Sequence, residues 1–141
     1  MTTLHHLVPI KASPEKVFAA IATQTGNRGW WTADSVVDSK VGGKAEFSFD
    51  KRQMTFRMKI EKLEPNTALV MSCHGDQPEW AGTTLEWSVT PTPEGSLLTF
   101  DHVGWRERTP FCTSCNSMWG NLMFRLKTYV ETGKPGPQWT E

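Results

Sequence analysis

Three groups of residues carry side chains with chemical potential. Cys112-Thr113-Ser114-Cys115 is a C-x-x-C pair opening an apolar-periodic segment. At a helix N-terminus the positive end of the dipole lowers a thiol pKa, so Cys112 and Cys115 are candidates for a redox-sensitive dithiol. Cys115 also falls on the apolar stripe of that segment, and there the same residue reads as a small core side chain. Zinc would need four ligands. Cys73 and His102 could join the pair, but only one C-x-x-C spacing is present and no metal site is assigned. His102 is the one imidazole on the inward side of a well-alternating strand. It is a candidate acid/base, since histidine titrates nearest neutrality, and equally a hydrogen-bonded core group. The third group is aromatic: seven tryptophans in 141 residues, with Trp30 and Trp31 adjacent. Neighbouring helical residues point about 100° apart, so one of this pair is expected to pack while the other borders an opening. No Ser–His–Asp grouping, paired-carboxylate motif or phosphate loop stands out.

The elements that must position these groups follow from periodicity. Pro110 to Thr132 recurs at helical spacing through Phe111, Cys115, Met118, Trp119, Leu122, Met123, Leu126, Tyr129 and Val130. Pro110 suits a first helical position, Gly133 the position just past the end, and Pro135 stops continuation. Upstream, period-two alternation predicts strands over Leu4–Lys11, Ser35–Val41, Lys44–Asp50, Gln53–Leu63, Ala68–His74, Thr83–Thr90 and Ser96–Gly104. Ser13-Pro14-Glu15 starts a short helix carrying Val17, Phe18 and Ile21, ending near Thr23 to Gly26. Asn27–Thr32 reads as a second helix or a turn. The links between strands are a few residues long, which implies antiparallel pairing. A sheet with one apolar face needs a cover, and only the terminal helix is long enough. The expected fold is α+β: a curved antiparallel sheet of six to seven strands wrapped around a long C-terminal helix. One or two short helices follow the first strand. Residues 1–141 form a single domain, and the tail 133–141 is extended.

Composition narrows the classes of function. Fifteen Lys and Arg balance fifteen Asp and Glu. A generic nucleic-acid surface, which carries excess basic charge, is therefore not expected. No apolar run is long enough to span a bilayer, and the first residues lack the pattern of a signal peptide. Three cysteines cannot all pair, so reduced thiols and a cytoplasmic location are expected.

One family resemblance covers the whole chain. It rests on Ile10 to Ile21 (I-x-A-S-P-E-K-V-F-x-A-I), on Trp30-Trp31, and on Gly42-Gly43 with Phe47 beyond. It continues through Ile60-Glu61-Lys62-Leu63-Glu64-Pro65-Asn66 and Trp119, Leu122, Leu126 and Tyr129, closing at Glu131-Thr132-Gly133-Lys134-Pro135. This pattern resembles the helix-grip fold of the START-like superfamily, also called SRPBCC. The nearest branch is that of the C-terminal domain of the heat-shock-chaperone ATPase activator. The resemblance implies a container whose cavity lies between sheet and long helix. The inward residues agree: a Met-rich apolar lining adapts to irregular ligands. The expected function is binding of a small, largely apolar molecule, such as a lipid, without catalysis and without a cofactor. Expected rim residues are Trp30 or Trp31, Trp80 and Trp105. Expected lining residues are Phe56, Met58, Met71, Trp87, Phe100, His102, Trp119, Leu122 and Met123. The alternatives are a cyclase- or hydrolase-type enzyme using His102 in the same cavity and a chaperone-cofactor-like interaction domain. A homodimer is compatible with the open edges of an antiparallel sheet.

Overall fold

The computed structural model describes residues 1–141. The order is β1 (Thr2–Ile10), α1 (Pro14–Ala22), α2 (Gln24–Trp30), β2 (Asp34–Val37), β3 (Lys44–Phe49), β4 (Met54–Glu64), β5 (Ala68–His74), β6 (Thr84–Thr92), β7 (Gly95–Trp105) and α3 (Pro110–Thr132). All seven strands form one antiparallel sheet in the order β1-β7-β6-β5-β4-β3-β2. β2 to β7 make a meander, and β1 closes beside the last strand. No helix is long and apolar enough to cross a membrane.

Local chemistry sets these elements. Thr109 caps α3 by accepting from the Cys112 N–H at 3.1 Å, and Gly133 ends the helix at φ 82°. Ser13 caps α1, with Pro14 in its first turn. Thr23 serves two helices at once: its hydroxyl donates to Ala19 O at 2.6 Å and accepts from Gly26 N–H at 2.9 Å. α2 therefore starts at Gln24, three residues before the sequence pattern suggested. On β4 an extra residue, Glu61, sits opposite no partner between the Ile60↔Met71 and Lys62↔Val70 pairs. This bulge returns Leu63 to the inner face after Ile60. β2 is shorter than expected, because the chain turns after Asp38, with Lys40 N–H to Asp38 O and Gly43 N–H to Lys40 O, and Gly42 and Gly43 then bond Ile60 of β4. Met54, read as inward, sits at the start of β4 and is exposed.

α3 lays Cys112, Cys115, Trp119, Leu122, Met123 and Leu126 against the sheet. Its Asn116 meets His6 of β1 at 2.9 Å, and Glu131 accepts the Lys11 N–H at 2.8 Å. The tail is extended, and it docks. Ala33 N–H donates to Trp139 O and Trp139 N–H to Trp31 O. Arg125 donates to the carbonyls of Gly136 and Pro137. Trp139 packs edge-on to Phe49, 4.8 Å between centroids.

Candidate functional site

The interior is organised on Trp119, in the middle of α3. Its ring is 4.5 Å from Phe100, 5.3 Å from Trp31, 5.7 Å from Trp80, 6.0 Å from His102 and 6.4 Å from Trp87. Trp31 stacks in turn on Phe47 at 4.2 Å and on Trp30 at 5.6 Å. Trp80 comes from the Gly75–Gly82 loop and reaches inward between Phe56 at 4.1 Å and His102 at 4.7 Å. Such offset and edge-on pairs are the favoured aromatic geometries.

Trp30, Trp31, Trp80 and Trp105, expected at a rim, are at most 2% exposed. The pairing rule that separated Trp30 from Trp31 holds inside a helix, but Trp31 is the residue that ends α2, at φ −99° and ψ −83°, and its altered backbone turns it inward beside its neighbour. Met58, Met71, Trp87, Phe100, Trp119, Leu122 and Met123 are buried as expected, and Phe56 is half-buried. Open space between sheet and helix is not what surrounds them. Four clefts open at the surface, and of the candidate rim and lining residues only Trp105 borders one of these, a cleft of about 300 Å³ shared with Glu79, Arg106, Glu107 and Thr109. Side-chain volume explains the difference. Counting inward positions locates a lining but does not measure how far large indole rings reach across the interior.

His102 is fully buried, and both ring nitrogens have protein partners. The Thr83 hydroxyl donates its only hydrogen to Trp80 O at 2.6 Å, so it must accept from His102 Nε2–H at 2.9 Å. That tautomer leaves Nδ1 to accept from the Trp119 indole N–H at 3.1 Å. The relay from α3 through β7 to the Gly75–Gly82 loop thus requires a neutral imidazole. Burial pushes the His102 pKa down to about 3. A neutral ring with no free nitrogen is a fastener between helix and loop, poorly placed to exchange a proton with a substrate.

Of the two readings of the cysteines, the environment favours core side chains over a redox-sensitive dithiol. All three are free and buried. Burial raises the Cys115 thiol to about 11 and also raises that of Cys112. Cys73 is also raised to about 11. No three His, Cys, Asp or Glu side chains converge as metal ligands.

The sequence reading missed a set of polar atoms. Trp30 Nε1 donates to Ala20 O at 2.8 Å, and Trp119 Nε1 serves the relay. The indole N–H groups of Trp31, Trp80, Trp87 and Trp105 are buried and have no hydrogen-bond acceptor. The Trp80 N–H interacts with the Cys115 sulfur, a weak acceptor, without reaching hydrogen-bond geometry. The unpartnered donors share one neighbourhood, since Trp31, Trp80 and Trp87 each pack on Trp119 and Trp105 packs on His102 at 4.7 Å. Each such donor costs about 1–3 kcal/mol when left unmade.

The loop bearing Trp80 is held by exposed polar contacts. Arg106 donates to Pro78 O at 2.6 Å and Ala81 O at 3.3 Å, and Thr109 bonds Glu79. Gly75 and Gly82 flank it at φ +76° and +88° with open space around each α-carbon. Arg106 is thus a brace for this loop.

The same architecture recurs in solved structures. The Aha1 dimer from Colwellia psychrerythraea is similar over 96% of this chain and 100% of its own, with 31% identity and a TM-score of 0.87. MLL2253 from Mesorhizobium loti shares 19% identity at a TM-score of 0.83, over 95% and 100% of the two chains. An AHSA1-like protein from Aeromonas hydrophila shares 18% at 0.74, over 94% of each. No curated protein matches the chain. The family model described as "Activator of Hsp90 ATPase homolog 1-like protein" matches residues 11–131, from the end of β1 through all but the last residue of α3. With the helix-grip architecture and the Colwellia relative, that match makes this chain a member of the Activator of Hsp90 ATPase homolog 1-like family.

Proposed function

We propose that the chain binds a small, largely apolar molecule carrying hydrogen-bond acceptors, and does so in the aromatic interior between sheet and α3, without catalysis. The observation that carries this reading is the set of four buried indole N–H groups around Trp119 and His102, three without an acceptor and one, that of Trp80, facing only the Cys115 sulfur. A guest with carbonyl or phenol oxygens would meet donors already desolvated, and its rings would stack on tryptophan. The path inward is the Gly75–Gly82 loop, whose displacement carries Trp80 out of the interior. The occupied nitrogens of His102 favour binding over the cyclase or hydrolase alternative. Titration with hydroxylated polycyclic aromatics and with fatty acids, followed by tryptophan fluorescence and calorimetry, tests the reading. Saturable binding that weakens in Trp87→Phe supports it. Absence of saturable heat and of any fluorescence change across both ligand classes sinks it.

A second reading concerns assembly. The Colwellia relative is a dimer in solution, and we infer that this chain pairs with a second copy of itself. Sedimentation over a range of concentrations tests this. A chaperone-cofactor role rests on the family description alone. Retention of an Hsp90-type chaperone on the immobilised protein would support it.

A further inference from the structure

The two edges of the sheet are not equivalent. β2 is four residues long, and α2 occupies its outer groups: Gln24 Oε1 accepts the Val37 N–H at 3.1 Å, and Arg28 Nε donates to Ser35 O at 2.9 Å. A strand added there would have to displace both side chains. β1 is nine residues long. Along it, alternate residues turn their backbone groups toward β7 or away from it. Two observations fix the phase. Lys11 N–H points away from the sheet, because it donates to Glu131 of α3. Pro9 has no N–H, and within sheets proline is confined to positions where that absence breaks no ladder bond. Odd-numbered residues therefore face outward. The Lys11 donor is taken and Pro9 has none, so the open donors are those of Thr3, His5 and Leu7. None of these three donates to a side chain or loop.

The surroundings of this run are also open. A cleft of about 390 Å³ lies beside it, between Thr2–His5 and Arg108, just before α3, with Thr113 and Asn116 of that helix. Leu7 is 64% exposed on the outer face of the strand. Phe124, also 64% exposed, stands on the α3 stripe that follows β1, one turn beyond Gly120, which lies against His6. His5 bonds Asp101 of β7 at 2.8 Å and Arg108 borders the cleft, but no Lys, Arg, Asp or Glu lies within Thr3–Leu7, and a nine-residue edge with open donors is a template for another strand.

We propose that the Thr3–Leu7 edge of β1 pairs antiparallel with the same edge of a second copy, with His5 opposite His5 on the two-fold axis. This rests on the dimer reading above and gives it a surface and a register. Only outward residues can exchange bonds. Centring on His5 sets Thr3 opposite Leu7 twice and satisfies all three donors of each copy. Centring on Leu7 would set His5 against Pro9 and Thr3 against Lys11, losing one donor to proline and one to Glu131. The two sheets join into one of fourteen strands, twice the seven of the single chain.

Leu7→Pro tests the surface. Proline at an outward position removes no bond to β7, as Pro9 demonstrates, yet it deletes two bonds of the pair. The expected result is a native circular dichroism spectrum and a dimer Kd raised about thirtyfold, the effect of two net hydrogen bonds. Hydrogen exchange on the unaltered protein is the second measurement, and it does not depend on that variant folding. The amides of Thr3, His5 and Leu7 should be protected at high concentration and lose protection on dilution. A dimer in which these amides exchange freely, or whose Kd Leu7→Pro leaves unchanged, overturns the surface while keeping the dimer. A chain that stays monomeric at every concentration overturns the dimer reading itself, and the surface with it.

Discussion

Acidification between pH 7.5 and 5 should destabilise the protein through His102, by an amount the structure allows to be worked out. An unfolded histidine titrates near 6.5. In the native state the relay needs the neutral ring, and burial holds its pKa at about 3. Below 6.5 the unfolded chain binds a proton that the native chain refuses, so stability rises with pH across this window. The contribution is fully present above about 6.5 and is lost progressively as pH falls toward 3. At pH 5 the unfolded state has gained about 1.5 pH units of proton binding at about 1.4 kcal/mol per unit, a loss of about 2 kcal/mol relative to pH 7.5. Any native pKa below about 4 gives the same figure at pH 5, since the native ring is then still unprotonated. With a urea m-value of about 1–3 kcal/mol/M, the midpoint should fall by about 1 M. His6 is also lowered by partial burial and adds to the slope. Glu131 is lowered too, so its contribution disappears only below the ordinary carboxylate range. The assay is therefore a difference: urea midpoints at several pH values for the native protein and for His102→Gln. Glutamine keeps a donor and an acceptor but does not titrate. The variant should be less stable at pH 7.5 and have a flatter profile. Parallel profiles would refute the neutral relay.

Four further outcomes follow from the packing. Gly26→Ala should lower stability by about 2–3 kcal/mol in thermal unfolding, because an added Cβ would sit 2.6 Å from the Ala20 α-carbon, and backbone cannot yield as a side chain does. Cys112 and Cys115 should resist a thiol reagent until the protein unfolds and form no disulfide under mild oxidation; rapid labelling of the native protein would contradict their raised pKa values and burial. Arg125→Ala should release the tail from α3 at a cost of about 1 kcal/mol, seen as faster amide exchange at Gln138 and Trp139, whose N–H groups bond Trp31 O. Trp87→Phe should be close to neutral, since relief of an unpartnered N–H offsets the lost ring area, whereas Trp119→Phe should cost about 3 kcal/mol by leaving His102 Nδ1 without its donor.

The parts of this fold legible in the sequence are those set by local rules. α3 runs from Pro110 to Thr132 as its periodicity and flanking residues require, and β5 spans the expected Ala68–His74. Apolar alternation placed His102, Phe100 and Trp87 on the inner face, where they are. What was not legible depends on contacts distant in sequence. Thr83 opens the expected strand Thr83–Thr90 in phase with Leu85 and Trp87, but alternation does not reveal that its hydroxyl determines which nitrogen of His102 carries the proton. Trp139 lies in the tail expected to be extended, and its role and that of Arg125 appear only when the tail docks on the folded chain. The helix start at Cys112 and the apolar stripe at Cys115 were legible, but the full burial of Cys112 was not.

The indole donors bear on why the interior is built from tryptophan at all. Phenylalanine at positions 31, 80, 87 and 105 would still give large aromatic surfaces without leaving a polar hydrogen unmatched. Trp30 and Trp119 show that this interior can supply acceptors where a fixed partner is within reach, Ala20 O in one case and His102 in the other. The other four converge on one neighbourhood, behind a loop held by the exposed Arg106. A core shaped by packing alone gains nothing from several unmet donors in one place. A core that must admit a molecule with oxygen atoms gains both ring faces to stack on and directions to bond along. The same feature predicts which ligands should fail. A saturated chain without acceptors would bury area but leave every donor unmet, and a fatty acid has acceptors only at its carboxylate end and no ring to stack, so fatty acids should bind more weakly than hydroxylated aromatics of equal size.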